Sequence, residues 1–348
     1  MIRYRKINIK SAYGSSQNVH PDVIYIPQGF VGYKYWMVFT PFPFGKDRYE
    51  NPSVRASNDG YEWTRIKGTP DPVVLPPRDA HIHHADPEIV YQDGRLYLFF
   101  VTINTRLEKT TFSVMSSYDA VAWERPEIIY ENSWGVSPTL IVDNNQWLMW
   151  YVYCDIRKSG FRKSCIKRRD GLTPSLVNNE VSCSLEIPGH VVWHMDIIKT
   201  ERQYEALITA FKVSRDPSRS VLFHAYSNDG INFCLSHNKP ILKPSVFGWD
   251  NRMIYRSTFL KMEGCYKVWY SAASWRPRFG IAYFEAKSLT PNNTLFVHWK
   301  SPLLLIEDIL GIIKYLFLKH LPNKHIETIR RILRFMFGTK VFSSLKKP

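Results

Sequence analysis

The chain has 348 residues, with 46 Lys and Arg against 31 Asp and Glu, which gives a formal net charge of +15. Apolar residues make up 45% of the chain and aromatic residues 15%, so the composition excludes a disordered protein and favours sheet over helix. The positive charge is typical of proteins with an anionic partner, such as a membrane surface, a nucleic acid or an acidic glycan.

The cysteines and the N-terminus bear on the cellular compartment. The five cysteines are odd in number and have no CxxC spacing, so we expect neither a zinc motif nor a disulfide framework. The first residues lack the apolar stretch of a signal peptide. No stretch of about 18 uncharged apolar residues predicts a transmembrane helix. We therefore expect a reducing, cytoplasmic location.

Two interleaved patterns recur along the chain. The first is Ser-x-Asp-Gly-x-x followed by an aromatic residue, which predicts a tight turn leading into a strand. It occurs at 57–63, at 117–123 with Ala in place of Gly, at 227–233, and as a degenerate copy at 169–172. The second is a pair of apolar segments joined by a short turn, which predicts a hairpin. It occurs five times, at 21–25 with 35–39, 87–91 with 96–100, 138–142 with 147–151, 195–199 with 204–208, and 257–261 with 266–270.

This periodicity predicts the fold. Five units of about 50 to 65 residues, each expected to be a four-stranded antiparallel sheet, can bury their faces only against one another. The sequence therefore predicts an all-β protein, a five-bladed β-propeller over 1–300 with an amphipathic helical tail over 301–348. The alternative is a β-sandwich or two small β domains, neither of which repeats a hairpin five times at this period.

The first strand of each propeller blade lines the central axis, so polar residues near the starts of these strands should converge on one funnel. The candidates are His20, Asp22, Asp86, Glu88, Ser137, Thr139, His194, Asp196, Arg256 and Thr258.

Several segments of the chain resemble the five-bladed propeller glycosidases of the arabinanase, β-xylosidase and invertase types. The matching segments include 20–25, 49–60, 193–198 and 248–259, and the resemblance covers about residues 18–285. More narrowly, the chain is similar to uncharacterised propeller proteins of bacterial polysaccharide loci and phages. The resemblance implies an acidic funnel with one carboxylate as base or nucleophile and another as proton donor. The arabinanase type has its general base in an Asp-Pro step of the first blade. Here that blade has His20-Pro21, and Asp86-Pro87 opens the second.

Glycoside hydrolysis needs two carboxyl groups, one ionised and one protonated, on either side of the scissile bond. Asp86 and Asp196 are the preferred catalytic pair, and Glu88 and Asp22 are substitutes. The alternative for Asp86 is a turn residue that bonds local backbone.

Six further residues are candidates for substrate binding. His20 and His194 would bind sugar hydroxyls, Arg256 would hold an anionic group, and Trp193 and Tyr255 would stack on sugar rings. Asn51 belongs to a matching segment. The alternatives are structural histidines, an ion pair of Arg256 with Asp86 or Asp196, and aromatic packing between blades.

The sequence predicts no cofactor and no metal. His81, His83 and His84, with Asp79 and Asp86, match no zinc motif, and no Gly-rich phosphate-binding loop is present.

The tail, 301–348, has a basic amphipathic pattern, which is typical of a peripheral membrane anchor. We expect it to lie on the inner face of the membrane. The alternative is a helical hairpin packed on the propeller or on a second copy of the chain.

Together these features predict a carbohydrate-active enzyme, similar to a glycoside hydrolase or a glycosyl-transferring enzyme, acting on a cell-surface or capsular polysaccharide, which the charge suggests is anionic. The alternative is a non-catalytic glycan-binding propeller at the membrane during polysaccharide assembly. Nucleic acid is not an expected partner because no recognised binding module accompanies the charge.

Overall fold

A computed structural model describes residues 5–154, 163–175, 178–213, 217–246, 248–275 and 278–291. The predicted tail, 301–348, lies outside the described residues. Within them, no helix has the length and apolar character needed to cross a bilayer.

The described residues form β-strands joined by turns and connections. In chain order they are β1 (Arg5–Ile7), β2 (Asn18–Phe30), β3 (Tyr33–Pro41), β4 (Ser53–Ser57), β5 (Ile82–Gln92), β6 (Arg95–Asn104), β7 (Lys109–Ser117), β8 (Glu127–Asn132), β9 (Gly135–Asp143), β10 (Gln146–Tyr153), β11 (Cys165–Gly171), β12 (Asn178–Cys183), β13 (His190–Lys199), β14 (Tyr204–Lys212), β15 (Val221–Ser227), β16 (Cys234–Leu235), β17 (Met253–Met262), β18 (Cys265–Ala273) and β19 (Phe279–Ala286). Short 3₁₀ turns span Pro43–Gly45, Asp47–Tyr49 and Pro217–Arg219.

These strands form five antiparallel sheets, in the orders β2-β3-β4, β5-β6-β7-β8, β9-β10-β11-β12, β13-β14-β15-β16 and β17-β18-β19-β1. The innermost strands β2, β5, β9, β13 and β17 each contact the next, and β17 contacts β2, which closes the ring. The chain is therefore an all-β five-bladed propeller, as the sequence predicts. The N-terminal strand β1 pairs with β19 and completes the last blade, so both ends of the propeller chain meet in one sheet.

The first blade departs from the prediction. It has three strands, and only a single bridge from Ala56 to Thr64 replaces the fourth. The expectation of four strands in every blade is wrong here. Pro70 and Pro72 follow in this segment, and proline has no N–H to donate to a ladder.

The Ser-x-Asp-Gly turns join neighbouring blades. In the turn of the first blade, Asp59 accepts the N–H groups of the two residues that follow Gly60, each at 2.8 Å. The carbonyl of Gly60 then accepts a hydrogen bond from Nε1 of Trp269 in the last blade, at 2.8 Å. The turn of the fourth blade repeats this, because Trp150 of the third blade donates to Gly230 at 2.7 Å. The repeated motif is thus a clamp between blades.

Gly230 allows a direct test of this clamp. Its φ is +68°, and a Cβ there would lie 2.9 Å from Cζ2 of Trp150. We expect Gly230→Ala to lower the free energy of unfolding by about 2 to 4 kcal/mol, from backbone strain plus overpacking. Gly264→Ala is the matched control, since Gly264 has φ +73° and open space around the added methyl. Urea unfolding of both variants isolates the contact with Trp150, and equal losses would contradict the clamp.

Candidate functional site

The inner strands begin at one end of the propeller, which we call the mouth. In three of these strands the residue near the mouth precedes a proline and has a left-handed backbone: His20, Asp86 and Ser137, with φ of 52°, 47° and 55°. The pairing register of β2, β5 and β9 shifts at these positions, as it does where a β-bulge interrupts a ladder. The interruption divides the axial side chains into two levels.

The lower level is a closed ring of hydrogen bonds, which we call the axial ring. Its members are Asp22, Glu88, Thr139, Asp196 and Thr258, one from each blade, and all are buried. Each side chain accepts the N–H of the residue that follows the next member. These bonds are Ile89 N–H to Asp22 (2.7 Å), Leu140 N–H to Glu88 (2.8 Å), Ile197 N–H to Thr139 (3.1 Å), Phe259 N–H to Asp196 (3.2 Å) and Val23 N–H to Thr258 (3.4 Å).

The carboxylates of the axial ring have partners on both oxygens. Thr258 donates its hydroxyl to Asp22, and Thr139 donates to Asp196, each at 3.1 Å. Burial raises the pKa of Asp196 to about 7 and, together with the neighbouring Asp22, raises that of Glu88 well above its usual value. Three of the sequence-predicted catalytic carboxylates, Asp22, Glu88 and Asp196, therefore join the blades of the propeller. Their catalytic role stays a prediction.

Arg256 extends across the axis from the last blade and is fully buried. Its guanidinium donates to the carbonyl of Pro87 at 3.0 Å, to the Glu88 carboxylate at 2.6 Å and to the carbonyl of Pro138 at 2.7 Å. The geometry favours a structural ion pair for Arg256 over a contact with substrate. The partner is Glu88, whereas the sequence suggested Asp86 or Asp196. Because Pro87 and Pro138 directly follow Asp86 and Ser137, Arg256 also fixes the two bulges.

The upper level contains a cluster that we call the axial triad: His20, Asp86 and His194. Oδ1 of Asp86 lies 3.4 Å from Nε2 of His20 and 3.5 Å from Nδ1 of His194. Its other oxygen, Oδ2, accepts the N–H of Ser137 at 2.9 Å. All three residues are buried, yet Nε2 of His20, Oδ1 of Asp86 and both ring nitrogens of His194 have no hydrogen-bond partner.

Burial also sets the protonation states of the axial triad. It lowers the pKa of His20 to about 4 and that of His194 to about 3. For Asp86 burial acts in the opposite direction, but the two imidazoles, Arg256 and the Ser137 N–H outweigh it and hold the pKa below its usual value. Near neutral pH the triad therefore offers neutral imidazoles and an ionised carboxylate, which are the states that bind metal.

The axial triad fits a divalent metal ion. Two imidazole nitrogens and one carboxylate oxygen suit a first-row transition metal, and the candidate ligand atoms all lie within 4.8 Å of one another. Ligands about 2.1 Å from one ion at tetrahedral angles are about 3.4 Å apart, close to the distances observed here. The carboxylates of Asp22, Glu88 and Asp196 are also grouped, but their oxygens already have partners. The expectation of no metal rested on spacing along the chain, whereas the triad comes from three blades.

Two more residues, Glu50 and His83, face the axial triad from the mouth, and neither is among the site residues predicted from the sequence. Glu50, on the connection from β3 to β4, is buried, and its Oε1 lies 3.6 Å from Nδ1 of His20. Its Oε2 lies 4.0 Å from Nε2 of His83, which is partly exposed. His83 thus reaches this site, whereas its neighbour His84 forms a hydrogen bond with the hydroxyl of Thr102 at 2.9 Å. The periodicity of the inner strands does not point to Glu50, because this residue lies on a connection, although it belongs to a segment that carries the resemblance.

Aromatic rings form one wall beside the triad. The Tyr255 ring centre lies 4.7 Å from each of the His20, His194 and Trp193 rings. Tyr255 and Trp193 are partly exposed, so the structure brings both predicted stacking residues to the mouth. Asn51 is fully buried behind it, where its side-chain amide donates to the hydroxyl of Tyr13 at 3.0 Å and to a backbone carbonyl.

The fold and the site together define a five-bladed propeller with a buried polar cluster at its mouth. No model of a known protein family matches the chain. A curated relative, the A type blood N-acetyl-α-D-galactosamine deacetylase of Flavonifractor plautii, is 26% identical over an alignment of 315 positions that covers 75% of this chain. The match spans 41% of that protein's length.

Solved structures show the same fold. The crystal structure of an N-acetylgalactosamine deacetylase from F. plautii in complex with blood group B trisaccharide has a TM-score of 0.76 at 22% identity, covering 82% of this chain and 94% of that one. The xylan β-1,4-xylosidase of Bacillus halodurans has a TM-score of 0.59 at 13% identity, covering 78% of this chain and 52% of that one. A thermostable family-43 glycoside hydrolase has a TM-score of 0.57 at 12% identity, covering 78% and 89%.

Proposed function

We propose that the protein is a carbohydrate-active enzyme that hydrolyses the N-acetyl group of an amino sugar within a glycan. The observation that carries this proposal is the axial triad, a buried set of metal-ligand atoms without partners at the mouth of the propeller. The relatives with deacetylase activity in their names support the reaction type.

The chain's own groups supply the steps that such a reaction needs. A divalent metal bound by His20, Asp86 and His194 would polarise the amide carbonyl and lower the pKa of a bound water. His83 and Glu50, 4.0 Å apart beside the triad, can accept the proton of the attacking water and return one to the departing amine. Trp193 and Tyr255 offer ring faces on which a sugar can stack.

Glycoside hydrolysis is the second candidate, and one observation favours it. Glu50 Oε1 and Asp86 Oδ1 lack hydrogen-bond partners and lie on opposite sides of the His20 ring. The two distances and the ring width limit their separation to at most about 9 Å, which allows the spacing of either a retaining or an inverting pair. In this case Glu50 and Asp86 would serve, in place of the predicted pair Asp86 and Asp196.

The two reactions release different products, which gives the test. We expect the chelator-treated protein to be inactive and Mn²⁺ or Zn²⁺ to restore acetate release from oligosaccharides containing N-acetylgalactosamine or N-acetylglucosamine. Each acetate should appear with one free amine and without new reducing ends. New reducing ends without acetate would assign glycoside hydrolysis, and binding without either product would assign a glycan-binding protein.

A further inference from the structure

Charge is distributed unequally between the two ends of the propeller. The described connections at the mouth are 8–17, 42–52, 74–81, 105–108, 133–134, 163–164, 184–189, 217–220, 241–246, 248–252, 274–275 and 278. They carry ten Lys and Arg against six Asp and Glu, and two of these acids, Glu50 and Asp250, are buried. The described turns at the opposite end include 58–63, 93–94, 118–126, 200–203, 228–233 and 263–264. They carry eight Asp and Glu, all exposed, against two arginines. The mouth is therefore the cationic end.

The cationic groups of the mouth are mainly arginines. They are Arg48, Arg78, Arg106, Arg219, Arg252 and Arg278, and all are at least partly exposed. A planar guanidinium can hold a carboxylate, sulfate or phosphate through two parallel hydrogen bonds, which a lysine cannot do.

Two of these arginines converge on one aromatic ring. The guanidinium carbons of Arg219 and Arg252 lie 4.5 and 5.9 Å from the ring centre of Trp275. Trp275 is partly exposed, on the connection from β18 to β19. Arg252 precedes Tyr255 of the aromatic wall by three residues, so their backbones are at most about 11 Å apart. A guanidinium that lies over an aromatic ring keeps its N–H donors at its edge, where they can bind the acidic group of a sugar.

We propose that the mouth binds an anionic polysaccharide, and that Arg219, Arg252 and Trp275 form a subsite for one of its acidic residues. This inference rests on the proposed function for the identity of the reacting group, an N-acetylated amino sugar. Its charge requirement rests on the cationic end alone. The excess of cationic over anionic side chains at the mouth favours an acidic glycan, which would be drawn there at low ionic strength.

Chondroitin and carboxyl-reduced chondroitin test the charge requirement. Both contain N-acetylgalactosamine, and they differ only in the carboxylates of the alternate sugar. We expect the full-length protein to bind chondroitin at least about 10-fold more tightly than the reduced polymer, with a difference that shrinks as salt rises. Arg219→Ala/Arg252→Ala should remove most of this preference. Arg125→Ala/Arg202→Ala, at the opposite end, is the matched control and should keep it.

The outcomes separate this inference from the proposed function. Equal binding of the two polymers, or equal losses in the two double variants, would overturn the anionic subsite. Acetate release from the reduced polymer would then still support the deacetylase. Selective binding of chondroitin without acetate release would support the subsite and contradict the deacetylase. Binding to phosphatidylglycerol vesicles that Arg219→Ala/Arg252→Ala abolishes, without binding to chondroitin, would assign the mouth to a membrane and overturn the proposal.

Discussion

Asp86→Asn is expected to abolish activity by removing the anionic member of the axial triad. An amide oxygen is a weaker ligand than a carboxylate, and His20 and His194 alone leave the ion with neutral donors. We expect Mn²⁺ or Zn²⁺ affinity to fall by at least about 100-fold, since even residues that only orient ligands cost up to that factor. Titration calorimetry measures the affinity, and acetate release should fall with it.

Asp196→Asn provides the comparison, because it changes a buried axial carboxylate at the lower level. Both carboxylate oxygens of Asp196 accept hydrogen bonds, one from the Thr139 hydroxyl and one from the N–H of Phe259. Neither oxygen is therefore among the unpartnered atoms that could bind the metal. We expect this variant to lose stability but to bind metal within about threefold of wild type, because sites without shared partners are independent. Equal loss of metal binding in both variants would refute the assignment of the triad. Equal loss of turnover with unchanged metal affinity would support the carboxylate pair that the sequence predicted.

Arg256→Met is expected to produce the largest loss of stability. It removes three hydrogen bonds across the axis and leaves the buried Glu88 carboxylate without its cation. Removing one partner of a buried ion pair lowers the free energy of unfolding by about 3 to 5 kcal/mol. Urea unfolding measures the loss. Arg256→Lys should recover only part of it, since an ammonium cannot reproduce the planar set of bonds to two carbonyls and a carboxylate.

A double variant identifies the cause of this loss. Arg256→Met/Glu88→Gln no longer contains an unpaired buried charge, so we expect it to be about 1 to 3 kcal/mol more stable than Arg256→Met alone. If Arg256→Met instead unfolds like wild type and raises KM, the residue contacts substrate, as the sequence analysis predicted, and the structural role is wrong.

The axial residues show how far sequence reasoning reaches. His20, Asp86, His194 and Asp196 could be nominated because the first strand of every blade faces the axis, and the structure buries all of them there. Their division into two levels could not be predicted. It depends on bulges and left-handed backbone at His20 and Asp86, and these appear only when the strands pair.

Glu50 and Arg256 show a second limit. Glu50 lies on a connection rather than an inner strand, and only the docking of that connection places it beside His20. Arg256 begins in one blade and bonds two others, so its partners Glu88 and Pro138 are 168 and 118 residues away in the chain. No spacing in the sequence encodes such contacts.

The sequence by itself determined the propeller, because hairpin periodicity and turn chemistry are local and repeat five times. It also determined the net positive charge, whereas only the fold decided that the mouth is the cationic end. Only the tertiary structure decided which acidic residues join the blades and which have oxygens free for chemistry. That difference depends on hydrogen bonds between blades, where the N–H groups of one strand saturate the carboxylates of another and leave Asp86 Oδ1 without a partner.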